Sequence, residues 1–142
     1  MRGLLLVLAA CGGDGAASGF IGTWTYASGM QTIDCDRDEL DETITPMGSF
    51  DLRAGSSADL ETEADAPCPA ISFDVSGTMA TARPGQGCSE TDQGITRATL
   101  YDAYTFRLDG ESLIETITGS FTVSGGISTS CTLARTAIST QM

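Results

Sequence analysis

The chain contains no histidine and no lysine, and these two absences exclude most of the common nucleophilic and metal-binding chemistries. Without imidazole there is no Ser-His-Asp or Cys-His nucleophile, and no side chain that ordinarily titrates near neutral pH. Without lysine there is no Schiff base and no phosphate-loop lysine. Only carboxylates, tyrosines, hydroxyls and thiols remain, so we expect no enzyme, no catalytic residue, no cofactor and no metal.

Positive charge is scarce as well, because seven arginines stand against 19 aspartates and glutamates and leave a net charge of −12. A field of that sign repels phosphate backbones, so we expect no nucleic-acid partner. Asparagine is also missing, while Gly, Ala, Thr and Asp abound, a bias typical of a GC-rich genome. The length of 142 residues and a hydrophobic fraction of 41% fit one globular domain with a single core.

The first ten residues predict an export signal. Arg2 supplies a positive charge, residues 3–8 form an apolar run, and two alanines precede Cys11, which is the arrangement of a secretory signal peptide. The run is shorter than the ~20 residues that a bilayer-spanning helix needs, and a buried N-terminal strand is the remaining alternative. Residues 8–11, Leu-Ala-Ala-Cys, resemble the lipobox of bacterial lipoproteins, in which the cysteine is acylated and becomes the new N-terminus.

The lipobox resemblance implies a protein that is exported and held at the cell envelope by lipid on Cys11. Acyl chains anchor stably because each buried methylene contributes ~0.8 kcal/mol. Residues 11–19, rich in Gly, Ala and Ser, would then form a flexible tether to a domain over residues 20–142. In Gram-negative lipoproteins an aspartate after the lipidated cysteine favours inner-membrane retention, so Gly12 implies passage through the periplasm to the outer membrane.

Four further cysteines indicate two disulfides. An even number in an exported chain predicts a disulfide framework with three possible connectivities, and the chain has no Cys-x-x-Cys spacing for a redox or zinc site. We favour a bond between Cys68 and Cys88, because the segment between them folds back on itself. That choice leaves Cys35 to pair with Cys131.

From Phe20 onward the sequence alternates apolar and polar residues with a period of two, interrupted by turn signals such as Ser76-Gly77 and Asp109-Gly110. The longest predicted strand covers residues 95–108, with Leu100 on its apolar face. Eight to ten short strands joined by tight hairpins predict an all-β, antiparallel up-and-down meander. Such a meander buries one face of each strand by closing into a β-barrel, with a β-sandwich as the alternative.

Aromatic residues on the predicted inner face would line either a packed core or a pocket for one small ligand, since an eight-stranded barrel allows both. These residues are Trp24, Tyr26, Phe50, Phe73, Tyr104 and Phe106.

Residues 22–24, Gly-Thr-Trp, resemble the Gly-x-Trp motif of lipocalins and related calycin barrels. Those families place an arginine of the last strand across the tryptophan ring. Here Arg135 continues the apolar face of residues 129–133, so the resemblance implies a lipocalin-like barrel in which Arg135 stacks on Trp24, a contact worth ~0.5–2 kcal/mol. The combination of lipobox, Gly-Thr-Trp and four spaced cysteines also resembles lipoproteins of myxobacterial type.

Two groups of carboxylates could carry chemistry. Asp34, Asp36 and Asp38 begin like a calcium loop, but Glu39 occupies the position of the turn glycine and Thr45 that of the bidentate glutamate. This pattern favours a solvated acidic loop.

A carboxylate-based hydrolase would require two acidic groups in one cleft, and Asp102 and Glu115 are the candidates. The leading functional hypothesis is instead a lipid-anchored, exported, non-enzymatic binding or interaction module, taking a small apolar ligand. The alternative is a packed structural or interaction domain without a pocket, which presents acidic loops to another envelope protein.

Overall fold

The structure is a computed structural model that describes residues 14–142. In this part of the chain the fold is all-β: ten strands, one turn of α-helix and one 3-10 turn. The elements are α1 Asp14–Ala17, β1 Gly22–Cys35, the 3-10 turn Asp38–Leu40, β2 Glu42–Ile44, β3 Ser49–Ala54, β4 Leu60–Thr62, β5 Ser72–Ser76, β6 Met79–Ala82, β7 Gly87–Asp92, β8 Ile95–Asp109, β9 Ser112–Ser124 and β10 Thr129–Gln141. The all-β prediction is confirmed.

Eight of the strands form a ring of hydrogen-bonded neighbours. The order runs β1, β3, β4, β5, β6, β8, β9 and β10, every pairing is antiparallel, and β10 returns to pair with β1. Apart from the pairing of β10 with β1, strands that are neighbours in the ring also follow one another in the chain, once the short strands β2 and β7 are left out. The predicted antiparallel meander is therefore confirmed, and the ring leaves no free edge along its closed part.

The four longest strands, β1, β8, β9 and β10, extend beyond the closed ring. There β2 pairs with the second half of β1, and β7 pairs with the first half of β8. The result is a six-stranded extension in the order β2, β1, β10, β9, β8, β7. Within residues 14–142 its two edge strands do not pair with each other, so the extension is an open sheet whose inner face continues the inner face of the ring.

The core lies inside the ring and is built from alternate residues of its strands. A strand directs successive side chains to opposite faces, and β10 shows this cleanly, since Cys131, Leu133 and Ala137 are buried while the two residues that flank each of them are exposed. Phe20 packs at the end of the ring where β1 begins, and its carbonyl accepts the indole N–H of Trp24 at 2.8 Å. The buried hydrophobic cluster consists of Phe20, Trp24, Leu52, Leu60, Ile71, Phe73, Ala80, Tyr104, Phe106, Leu113, Ile117 and Leu133.

Bulges in β1 and β8 shift this alternation. In β8 the partners of Tyr101 and Ala103 are consecutive residues of β9, so Asp102 is an extra residue. A bulge of this kind reverses which residues point inward on its two sides. Tyr101 therefore faces inward, and Leu100, predicted to share the inner face of β8, is 48% exposed. That part of the prediction is wrong.

Two disulfides join Cys35 to Cys131 and Cys68 to Cys88, which confirms the favoured connectivity. Cys35 and Cys131 are direct partners in the register of β1 with β10. The second bond ties the segment between β4 and β5 to the start of β7. Disulfides are compatible with an exported protein. Among residues 14–142 we find no helix of the length and apolarity that crossing a membrane requires.

The predicted signal peptide, residues 1–10, and the predicted lipidation residue Cys11 lie outside the described residues. The predicted tether is described only from residue 14 onward, where α1 forms a single turn and Ala17 is buried. The packed part of the domain thus begins at Ala17, a few residues before the predicted start at Phe20.

Candidate functional site

The structure places most of the predicted lining residues around one interior. Trp24, Phe73, Tyr104 and Phe106 are buried, whereas Tyr26 and Phe50 are half-buried. Arg135 also points inward, and 27% of its side chain is exposed.

The aromatic rings fill the closed part of the ring by touching one another. Phe73 lies 5.0 Å from Tyr104 and 5.2 Å from Phe106, and Phe50 stacks on Phe106 at 5.7 Å between ring centroids. These distances are those of packed aromatic pairs. Tyr26 completes the layer at 5.0 Å from Phe50. The closed part of the ring is therefore a packed core.

A buried polar network lies at the end of this core that adjoins the six-stranded extension. Glu115 on β9 is 1% exposed, and its carboxylate accepts the hydroxyls of Tyr104 at 2.7 Å and Tyr26 at 3.1 Å. Arg135 on β10 lies 3.5 Å from the same carboxylate through Nη1, which also donates to the Tyr26 oxygen at 3.3 Å. Burying a carboxylate is costly unless it is paired and hydrogen-bonded, and these three side chains satisfy both conditions.

The network also fixes the orientation of Arg135. Its Nε donates to the Gln31 side-chain oxygen at 2.8 Å, and Nη2 donates to the same oxygen. Gln31 is the direct partner of Arg135 in the register of β1 with β10, so both side chains lie on the inner face. The guanidinium is thus held between Gln31 on one side and Glu115 with Tyr26 on the other.

The predicted stacking of Arg135 on Trp24 is wrong. Trp24 pairs with Gln141, six residues further along β10 than Arg135, which is roughly 20 Å at about 3.3 Å per residue. A cation–π contact requires about 6 Å. Register alone therefore separates the two residues, although both face inward.

Burial and the Glu115 carboxylate shift the titration of the neighbouring groups. Desolvation, followed by the charge of Glu115, raises the pKa of Tyr26 and of Tyr104 far above the usual tyrosine range. Desolvation also raises the pKa of Tyr101, with the charge of Arg135 acting in the opposite direction. Burial disfavours the charge of Arg135, but the attraction of Glu115 and the tyrosines outweighs it and the pKa of Arg135 rises.

Beyond this network lies the inner face of the six-stranded extension, which we call the trough. It is an open face, and the network is its floor. Tyr101 stands beside the floor, with its ring 5.2 Å from that of Tyr104. The apolar walls are half-buried apart from Leu133, which is buried, and consist of Ile33, Phe121, Val123 and Leu133.

Sequence reasoning missed Gln31 and Tyr101, and it considered Glu115 only as half of a catalytic pair. Glu115 could have been recognised from its strand, where it alternates with Leu113 and Ile117 on the inner face. Gln31 and Tyr101 could not, because each lies beyond a bulge that reverses the face.

The candidate carboxylate pair is not brought together. Asp102 is exposed at the bulge of β8, whereas Glu115 is enclosed in the interior. The acidic segment after β1 is held by local contacts: the Cys35 amide donates to Asp41 at 2.8 Å, and the Ser130 amide donates to Asp36 at 3.3 Å. Among residues 14–142 no three His, Cys, Asp or Glu side chains are grouped in a way that could hold a metal ion.

Recesses on the surface of the described chain lie away from the network. One of them measures about 500 Å³ and lies at the opposite end of the ring, against Gly19, Leu108 and Met142. Another, of about 290 Å³, lies between β3 and the segment after β4. Neither is lined by the aromatic set as a whole, so neither is the interior pocket that the ligand hypothesis required. No protein family model, curated protein or solved structure matches the chain.

Proposed function

We propose that this protein is an exported, lipid-anchored envelope domain that acts as a non-enzymatic binding module, with the trough as its binding surface. The observation that supports the trough as a binding surface is a difference in side-chain packing between the two parts of the inner face, the ring and the extension. The closed part of the ring is filled by aromatic contacts, whereas Phe121 and Val123 in the extension are half-buried and lie outside the buried core cluster. Apolar side chains beside a few convergent polar groups are the usual lining of a small-molecule site.

The alternative, a packed domain that presents acidic loops to another envelope protein, is favoured by the charge distribution. Five of the six arginines among residues 14–142 form salt bridges with carboxylates. The remaining carboxylates leave an acidic surface, and such a surface steers a basic partner. The packed ring interior agrees with this alternative as well, so a ligand bound in the trough is what separates the two.

The anchor can be tested by comparing the wild-type chain with Cys11→Ser in cell fractionation. We expect the wild type in the membrane fraction and Cys11→Ser in the soluble periplasmic fraction. The double variant Cys68→Ser with Cys88→Ser is the control, because it removes two other cysteines and should remain in the membrane fraction. Wild-type protein that is soluble and carries no lipid mass would refute the anchor.

Binding can be tested on Cys11→Ser, which keeps every described residue. Native mass spectrometry of this chain, purified without a tag from the periplasm, should show a co-purified small molecule. Phe121→Asp, which places a charge on a wall of the trough, should lose that molecule while keeping the fold. Thr122→Asp, one residue along on the exposed face of β9, is the matched control. A ligand-free wild type would favour the interaction domain.

A further inference from the structure

The floor of the trough contains two hydrogen-bond donors without partners among the described residues. Arginine has five N–H donors, and the described contacts of Arg135 use Nε, Nη1 and one hydrogen of Nη2. One Nη2 hydrogen is left, on a side chain that is 27% exposed. The Tyr101 hydroxyl makes no hydrogen bond within residues 14–142, and Tyr101 is half-buried.

These donors share one location. The charge of Arg135 acts to lower the pKa of Tyr101, against the larger effect of desolvation. Tyr101 pairs across β8 and β9 with Gly119, which in turn pairs with Leu133 of β10. The donors therefore lie where the apolar walls meet the polar floor, the position in which the head of an amphiphilic molecule would be bound.

The charge of the floor indicates which kind of head group fits. Arg135 is the cation of the floor, and Glu115 already neutralises it at 3.5 Å. The next arginine on this inner face within residues 14–142 is Arg97, which pairs with Val123 at the far end of the trough and lies opposite Glu90 of β7. The protein as a whole carries a net charge of −12. A ligand carboxylate bound to the Arg135 guanidinium would lie close to the Glu115 carboxylate. Two negative charges at close range repel each other strongly. A neutral carbonyl oxygen can accept from both donors without that repulsion.

We propose that the trough binds a neutral amphiphile whose carbonyl oxygen, in an amide, ester or ketone, accepts hydrogen bonds from Tyr101 and Arg135 while its apolar tail lies against Ile33, Leu133 and Phe121. This inference rests on the proposed binding function and specifies the chemical class of the ligand. Glu115 sets the specificity, because its negative charge makes the floor neutral. Without that charge the same site would select an anion.

Two probes of equal tail length, decanoamide and decanoate, test the proposal by calorimetric titration of the Cys11→Ser chain at neutral pH. We expect decanoamide to bind at least about tenfold more tightly than decanoate. Glu115→Gln keeps the shape of the side chain and removes its charge, so it should strengthen decanoate binding by about tenfold or more and reverse the preference. Glu111→Gln removes one negative charge at the exposed hairpin after β8 and should leave the preference unchanged.

Tyr101→Phe provides a second measurement if Glu115→Gln does not fold. It removes only the hydroxyl, so it should weaken decanoamide binding by about fivefold or more and leave decanoate binding nearly unchanged. Equal binding of the two probes to the wild type, or a preference for decanoate, would overturn the proposed ligand class while leaving the binding function standing. If neither probe binds, both the ligand class and the trough as a binding surface are refuted.

Discussion

At the scale of single residues, the core contains a carboxylate that is almost completely shielded from water. Glu115 is 1% exposed and is stabilised by one arginine and two tyrosine hydroxyls. Its burial costs free energy that only these partners offset. The network is thus a structural requirement of the core as well as the floor of the trough.

Replacing Arg135 by leucine should destabilise the fold strongly. The change leaves Glu115 buried without its cation, which costs about 3–5 kcal/mol, and denaturant unfolding measures the loss. Arg107→Leu is the matched control, since that arginine forms an exposed pair with Asp109 at 3.6 Å and should cost at most about 1 kcal/mol. Equal losses for the two variants would show that Glu115 does not depend on Arg135.

The raised pKa values of the tyrosines predict that the protein loses stability in alkaline solution. The chain has three tyrosines, and burial raises the pKa of Tyr26, Tyr101 and Tyr104 in the folded state. In the unfolded chain a tyrosine titrates near about 10. The contribution of the neutral phenols to stability is therefore complete below that pH and is lost as the pH rises above it.

Tyrosinate absorbance measures this directly. In the native protein it should stay low through pH 10 and rise only together with loss of the β-sheet circular dichroism signal. In guanidinium chloride all three tyrosines should titrate near their usual value. Reversible ionisation of one tyrosine near pH 10 in folded protein would contradict the burial of that phenol.

At the scale of strands, local alternation predicted most of the architecture. It placed the hairpin turns at Gly77 and Gly110, where the structure has positive φ angles of 59° and 61°, and it predicted the longest strand to within one residue at its C-terminal end. Alternation could not predict the bulges at Ala27 and Asp102, because a period-two pattern does not show which residue is the extra one. The inward position of Tyr101 and the partners of Arg135 follow from those bulges and from register between strands distant in sequence.

Gly119 lies directly opposite the bulge of β8, and its replacement tests that close approach. A Cβ atom at this position would clash with the backbone carbonyl of Leu100, so Gly119→Ala should destabilise the protein by about 1–3 kcal/mol through strain. Gly15→Ala is the control, because nothing lies within 4 Å of a Cβ there and alanine is the better helix former. A neutral Gly119→Ala would mean that β8 and β9 are further apart than described.

At the scale of the whole molecule, the distribution of charge limits stability. Arginines are few, and four of the five exposed arginines among residues 14–142 form pairs with single carboxylates. The other carboxylates repel one another across the surface. Salt screens repulsion between exposed charges over about 10 Å at 0.1 M ionic strength. Exposed ion pairs contribute little to the free energy of unfolding, so screening them with salt costs little stability.

The melting temperature should therefore rise with salt. Between low salt and molar sodium chloride we expect the free energy of unfolding to rise by on the order of 1 kcal/mol, or a few degrees in Tm for a domain of this size. Thermal unfolding monitored by circular dichroism measures this change. Asp38→Asn with Glu42→Gln removes two charges from the acidic segment after β1 and should reduce the salt dependence while raising Tm at low salt. A Tm that falls with added salt would mean that the surface pairs, rather than the surplus of carboxylates, dominate the electrostatics of the fold.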